Sequence, residues 1–131
     1  MKPRHLLIAA LACLPTLGMA VEKQILLQST TSWDGTPYQA YPQGKPELTL
    51  LKLRIPANTV LDWHSHAMPN AGYLLSGELI VETRDTGKTV TVRPGDAMAE
   101  LIGTQHRGRT GALPAELIVF YAGSPGMPLA Q

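Results

Sequence analysis

The sequence predicts an all-β, single-domain sandwich or barrel, and three observations support this fold class. Apolar and polar residues alternate with a period of two in several short segments, as in strands with one buried face. Turn-forming residues separate these segments at 76–77, 85–88 and 94–96. No stretch of the chain after residue 20 carries helical periodicity long enough to indicate a helix. Short strands spaced this regularly are typical of β-sandwiches and β-barrels.

The first predicted strand is ELTLLKLRI at 47–55, which places apolar side chains on one face and two basic side chains on the other. The residues before it, 21–46, are predicted to form an N-terminal strand and an ordered loop lying over one end of the barrel. Residues 32–46 hold too many prolines and glycines for a central strand. Residues 47–131 then form the barrel domain, with 123–131 as a loosely held tail. The further predicted strands are Val60–His66, Gly72–Leu75, Glu78–Thr83, Thr89–Arg93, Ala97–Ile102 and Glu116–Tyr121.

The first twenty residues have the composition of a secretory signal peptide. Basic MKPRH precedes apolar LLIAALACLPTL and the small residues GMA, which predicts cleavage after Ala20. We therefore expect a periplasmic or secreted protein with no stable membrane insertion after cleavage. The alternative is lipid attachment at Cys13, within a loosely lipobox-like LAC. Cys13 is the only cysteine, so a chain cleaved after Ala20 forms no disulfide and has no thiol chemistry.

The charge balance of the mature chain implies neither a polyanion-binding surface nor a strongly acidic one. Without Lys2 and Arg4 the chain carries nine basic residues against ten acidic ones, a net charge near −1. No helix-turn-helix, P-loop or dinucleotide motif is present, so nucleic acid is not an expected partner.

The histidines are the candidate functional residues. The mature chain retains three of the four in the sequence: His64, His66 and His106. Residues two apart on a strand project onto one face, so His64 and His66 could share a cation. An HxH pair alone is weak evidence, and two ordinary surface or core histidines remain the alternative. The third histidine, forty residues after His66, strengthens the metal hypothesis.

These residues fall on the spacing of two short motifs, and on them the chain resembles the cupin superfamily. The first motif is a glycine, five residues, HxH, three or four residues, a glutamate, six residues and a glycine. The second is a glycine, five residues, PxG, two residues, a histidine, three residues and an asparagine. His64, His66 and Gly77 match the first motif, and Gly95, Gly103 and His106 match the second. Four motif positions carry a different residue. Asn58 stands at the first glycine, Asn70 at the glutamate, Leu101 at the proline and Thr110 at the final asparagine.

The resemblance covers roughly residues 47–121 and is strongest to small, single-domain cupins exported by bacteria. It implies a double-stranded β-helix, or jelly-roll barrel, of the RmlC-like type. It also implies a divalent metal ion, of iron, manganese, zinc, nickel or copper, held by His64, His66 and His106. Asn58 is a benign departure, because asparagine tolerates the left-handed backbone conformation.

Asn70 stands where the family has a glutamate, and it offers only a neutral amide oxygen to a metal. A site with Asn70 as fourth ligand should hold a metal less tightly than one with a carboxylate. Glu100 is the alternative, because it shares a face with Met98 and Ile102. If that face is the barrel interior, Glu100 could bind the metal, orient a histidine or act as a catalytic general base. If Ala97 and Ala99 face inward instead, Glu100 is solvated.

The sequence leaves several functions open. A metal-dependent enzyme acting on a small molecule, by dioxygenation, isomerisation or lyase chemistry, is the first hypothesis. A non-catalytic periplasmic module that binds a small ligand or a metal is the second. A vestigial site in a domain that serves a partner protein is the third. Open barrels have edge strands that need covering, and a homodimer paired through 23–28, KQILLQ, would be one way to cover them.

Overall fold

A computed structural model of the chain describes residues 20–131; Cys13 and all but the last residue of the predicted signal peptide lie outside the described residues. Within this range no helix is long and apolar enough to cross a membrane. The described chain is built from strands and turns. The strands are β1 (Glu47–Ile55), β2 (Asn70–Ser76), β3 (Leu79–Thr83), β4 (Thr89–Val92), β5 (Ala97–Ala99), β6 (His106–Arg109) and β7 (Ala115–Gly123).

The strands form two antiparallel sheets. One sheet has the order β1-β7-β2-β5 and the other the order β4-β3-β6. β7 is central, because it pairs with β1 along its whole length and with β2 on its other side. Neighbours within each sheet are mostly distant in sequence, as expected of a jelly roll. The predicted all-β, jelly-roll barrel is confirmed.

The core lies between the two sheets because the strands alternate as their sequences predict. β2, β3 and β7 each alternate buried residues with half-buried ones over most of their length. Leu74, Leu101 and Val119 are among the apolar side chains that are at most 3% exposed. Burial of this kind is the main source of stability for a sheet sandwich of this size.

Two connections require a left-handed backbone. Asn58 has φ 53°, which confirms that asparagine can replace the glycine of the first motif. Gly77, in the turn between β2 and β3, has φ 80°. A Cβ at Gly77 would also collide with the carbonyl oxygen of Pro114. This turn therefore accepts only glycine.

The structure differs from the sequence prediction in five places. The predicted strand Val60–His66 is wrong in extent, because only Val60 and His64 form bridges, to Arg109 and His106. The predicted strand Ala97–Ile102 ends at Ala99, and β6 was not predicted. Between residues 21 and 46 the β pairing consists of a single Thr31–Pro37 bridge, so no N-terminal strand forms within one chain. The tail is not loose, since Gln131 forms two backbone hydrogen bonds with Ser65.

Candidate metal centre

The three histidines come together because two chain segments bridge each other at one point. His64 and His106 form an antiparallel bridge in which each backbone N–H donates to the other's carbonyl, at 3.0 and 2.9 Å. The carbonyl of His66 accepts from the N–H of Gly103 at 2.8 Å, which ties the second histidine to the same loop. The ring centroids of the three residues lie 4.6 to 5.1 Å apart. The spacing-based expectation of one histidine cluster is met.

All three rings are held by their Nδ1 atoms. Nδ1 lies 2.9 Å from the carbonyl oxygen of Asp62 in His64, and 2.8 Å from that of Thr104 in His106. In His66 the partner is the carbonyl oxygen of Leu129, at 2.6 Å. A carbonyl only accepts hydrogen bonds, so each Nδ1 carries the proton and donates. Each Nε2 therefore presents its lone pair, which is the arrangement that ligand histidines adopt around a metal.

The geometry and electrostatics of the cluster suit a cation. One ligand atom from each ring lies within 4.8 Å of the others, and nitrogens sharing a zinc ion at about 2.1 Å lie roughly 3.4 Å apart. His66 is 4% exposed and His106 2% exposed, while His64 is half-buried. Burial lowers the pKa of His66 to about 4, with neighbouring His106 and His64 adding to the effect. Burial also lowers the pKa of His106. The rings of His66 and His106 are thus kept neutral, as metal binding requires.

Glu100 is buried beside this cluster. The side chain is only 10% exposed, so the interior orientation is the one the structure adopts. Its Oε2 lies 3.6 Å from Nε2 of His106, and neither atom has a hydrogen-bond partner. A carboxylate oxygen facing an imidazole lone pair is repulsive unless a cation, either a proton or a metal ion, lies between them. Burial raises the pKa of Glu100 to about 7.

Asn70 begins β2 next to Glu100, and its carbonyl accepts from the N–H of Glu100 at 3.0 Å. Its side chain is buried, with Nδ2 donating to the carbonyl of Met68 at 3.1 Å. Oδ1 has no partner, so the amide oxygen is free to accept from a ligand. Glu100 and Asn70 therefore both place unpaired oxygens in the interior. The group of mutually close ligand atoms consists of the three histidines, and Glu100 lies at its margin, next to His106.

Two residues near the site could not be singled out from the sequence. Tyr121 packs its ring 5.7 Å from that of His66, and burial, followed by the charge of Glu100, raises the pKa of its phenol. Tyr38 donates from its hydroxyl to the carbonyl of Glu100. Tyr121 follows the alternation of β7 and resembles a core residue, so only its packing shows the proximity. Tyr38 reaches Glu100 from a loop 62 residues away.

One cavity does not include the three histidines, although Asn70 lies on its wall. It measures about 550 Å³ and lies between residues 27–41 and the outer residues of β2 and β7, among them Ala71 and Phe120. The histidines do not line it. Of the three histidines, His64 is the most accessible.

Comparison with known proteins identifies the family. The model of the family described as Cupin domain matches residues 51–121, which include all three histidines and Glu100. Among curated proteins, no sequence matches the chain.

Solved structures with the same fold share little sequence with the chain. The DMSP lyase DddQ from Ruegeria pomeroyi DSS-3 is 21% identical with a TM-score of 0.56, over 72% of this chain and 45% of the lyase. The polyketide cyclase RemF from Streptomyces resistomycificus is 24% identical, with a TM-score of 0.56, over 64% of this chain and 58% of the cyclase. KdgF from Halomonas sp. is 21% identical, with a TM-score of 0.53, over 64% of this chain and 76% of that protein. The chain thus spans less than half of the lyase and shares its fold alone.

Proposed function

The chain belongs to the cupin family, and on that premise we propose that it is an exported protein that binds one divalent metal ion through His64, His66 and His106 and uses it on a small molecule. The observation that carries the proposal is the shared orientation of the rings. Three Nδ1–H groups donate to three backbone carbonyls, so three Nε2 lone pairs are left for one ion. Ordinary core histidines have no reason to adopt the same orientation.

A bound ion in this position supplies a Lewis acid that polarises an oxygen atom of a small molecule. The buried residues keep water from the inner side, while half-buried His64 leaves the outer side open. Glu100 is the residue that holds or moves a proton here, because its carboxyl is buried, lacks partners and has a pKa raised to about 7. The same carboxylate would offset the charge that neutral Asn70 leaves uncompensated. Enzymatic reactions named for structural neighbours include those of a lyase, a cyclase and an oxalate oxidase, so the fold does not select a reaction.

A non-catalytic binding module is the second candidate, and one observation favours it. The ligand-sized cavity of about 550 Å³ does not include the histidines, while His66 and His106 are buried. A site of this kind could retain a metal without admitting a substrate to it.

Elemental analysis of the protein purified from its natural compartment tests the shared premise. We expect about one divalent ion per chain, lost in His64→Ala and in His106→Ala. Asp62→Ala is the matched control, because it keeps the backbone carbonyl that holds His64 and should retain the metal. Absence of metal from the native protein, with both histidine variants as stable as the native chain, would leave a vestigial site.

Turnover measurements then separate the two candidates. Metal-loaded protein is incubated with catechols, thiols, sugars and oxo-acids while oxygen uptake and products are followed. Product formation that disappears on metal removal, or in His64→Ala, supports the enzyme. Tight binding without product supports the binding module instead.

A further inference from the structure

The segment Met127–Gln131, here called the C-terminal strap, returns from the end of β7 to residues 64–66, which carry two of the three histidines. A turn from Ser124 to Met127 reverses the chain, with the N–H of Met127 donating to the carbonyl of Ser124. The N–H of Ser65 then donates to the backbone oxygen of Gln131 at 2.8 Å, and the N–H of Gln131 to the carbonyl of Ser65 at 3.0 Å. The strap is thus hydrogen-bonded to the residue between two candidate ligands.

The strap also holds one ligand ring directly. Nδ1 of His66 donates to the carbonyl of Leu129 at 2.6 Å, across 63 residues. The other two rings find their acceptors two residues upstream, at Asp62 and Thr104. The equivalent upstream carbonyl for His66 is that of His64, which already accepts the N–H of His106. His66 is therefore the one ligand ring of the three whose orientation depends on a distant segment.

We propose that the C-terminal strap is a positioning element of the metal centre, whose docking fixes His66 as the Nδ1–H tautomer with Nε2 facing the ion. This inference rests on the proposed metal site. Since a docked strap favours the metal-binding tautomer, a bound metal must favour the docked strap by the same free energy. Metal binding and strap docking are therefore coupled.

The way the strap is held suits such coupling. Met127 and Leu129 are half-buried against the core, while Pro128, Ala130 and Gln131 are exposed. The strap therefore buries few side chains, and segments with few buried contacts open locally at low cost. Second-sphere partners of ligand histidines typically change metal affinity by about 10- to 100-fold when removed. The strap is thus docked by specific hydrogen bonds but buries little apolar surface, so its docking can respond to metal binding.

The first test uses the intact, metal-free chain. Long-range ¹H–¹⁵N spectra of the histidine rings report which nitrogen carries the proton. We expect His66 to be protonated on Nδ1, as in the structure. A predominant Nε2–H tautomer in the intact chain would overturn the proposal without any variant.

The second test shortens the strap. A chain ending at Pro128 lacks the carbonyl that His66 uses, whereas Leu129→Ala keeps it and is the matched control. Zn²⁺ and Co²⁺ titrations should show affinity lowered by about 10- to 100-fold in the shortened chain and close to native in Leu129→Ala. The ring spectra of the shortened chain should show a mixture of His66 tautomers. Native metal affinity together with an unchanged tautomer would refute the role of the strap.

Hydrogen exchange on the intact chain covers the case in which the shortened chain does not fold. Saturating Zn²⁺ should slow exchange of the Gln131 amide, and equal rates with and without Zn²⁺ would contradict the coupling. Failure of the metal site itself is distinguishable, because the intact chain would then bind no Zn²⁺ or Co²⁺ while still showing the Nδ1–H tautomer of His66.

Discussion

Replacement of Glu100 by glutamine should change the stability of the metal-free protein and its metal affinity in opposite directions. Burial raises the pKa of this carboxyl from 4.5 to about 7, so folding favours its protonated form. Above pH 7 the carboxyl is ionised in both the folded and the unfolded chain. Burying this charge then lowers the free energy of unfolding by roughly 3 kcal/mol, at about 1.4 kcal/mol per pKa unit. This cost disappears as the pH falls from 7 toward 4.5. Glu100→Gln removes the charge while keeping the shape, and the new amide can donate to Nε2 of His106.

Urea unfolding with chelator at pH 8 should therefore show the metal-free variant more stable than the native chain by about 1–3 kcal/mol, and the difference should shrink at pH 5. Glu78→Gln is the control, because that carboxylate is 53% exposed, 3.7 Å from Arg93, and should change stability little. In metal titrations Glu100→Gln should bind about 10- to 100-fold more weakly, and Asn70→Ala less so. Unchanged metal affinity in Glu100→Gln would refute its role at the ion, and a loss of metal-free stability at pH 8 would refute the electrostatic argument.

Three further predictions follow from the fold and the sequence. Gly77→Ala should lower the free energy of unfolding by more than about 2 kcal/mol, since φ 80° and the Pro114 carbonyl both oppose a side chain; Gly111→Ala, with open space around it, should be near neutral in urea unfolding. Leu50 on edge strand β1 and its cross-strand neighbour Phe120 on β7 are 69% and 39% exposed. If a second copy of the chain covers this apolar patch, light scattering should show a dimer that Leu50→Asp dissociates. A monomeric native chain would exclude this dimer interface. Mass spectrometry of the exported protein should find Val21 as its first residue, whereas a lipid-modified Cys13 would contradict signal cleavage after Ala20.

Much of the fold could be predicted because a half-buried strand marks its two faces in its own sequence. The predicted bounds of β1 are those observed, and β3 differs by one residue at its start. The turn at Gly77 and the backbone of Asn58 could be predicted for the same reason, since both depend on local conformation. The histidine cluster could be predicted because motif spacing reflects where strands must cross.

The remaining features depend on backbone pairing between distant segments, which alternation does not reveal. Val60–His66 has a strand-like sequence, but only Val60 and His64 form β-bridges within it. The tail contains the prolines and glycines typical of a poorly ordered terminus, but the backbone of Gln131 forms hydrogen bonds with the backbone N–H and carbonyl of Ser65. The contact of His66 with Leu129 uses a backbone carbonyl, so the identity of the Leu129 side chain could not have predicted it. Sequence patterns thus identified the candidate ligand residues and missed the backbone groups that orient them.

The position of Glu100 explains how a site with asparagine at the motif's carboxylate position can still have a carboxylate. Gly72 pairs with Met98 and Ala71 with Ala99, and this register continues to the hydrogen bond between Asn70 and Glu100, which projects both side chains into the same interior. The Glu100 carboxylate lies next to Gly72, and a Cβ built at Gly72 would lie 3.7 Å from Oε1 of Glu100. The backbone of β2 therefore leaves room for this carboxylate. If the three histidines bind a metal ion, Glu100 is the carboxylate beside His106 that would complete the ligand set. Half-buried His64 is the more exposed edge of the cluster, from which a small molecule would approach.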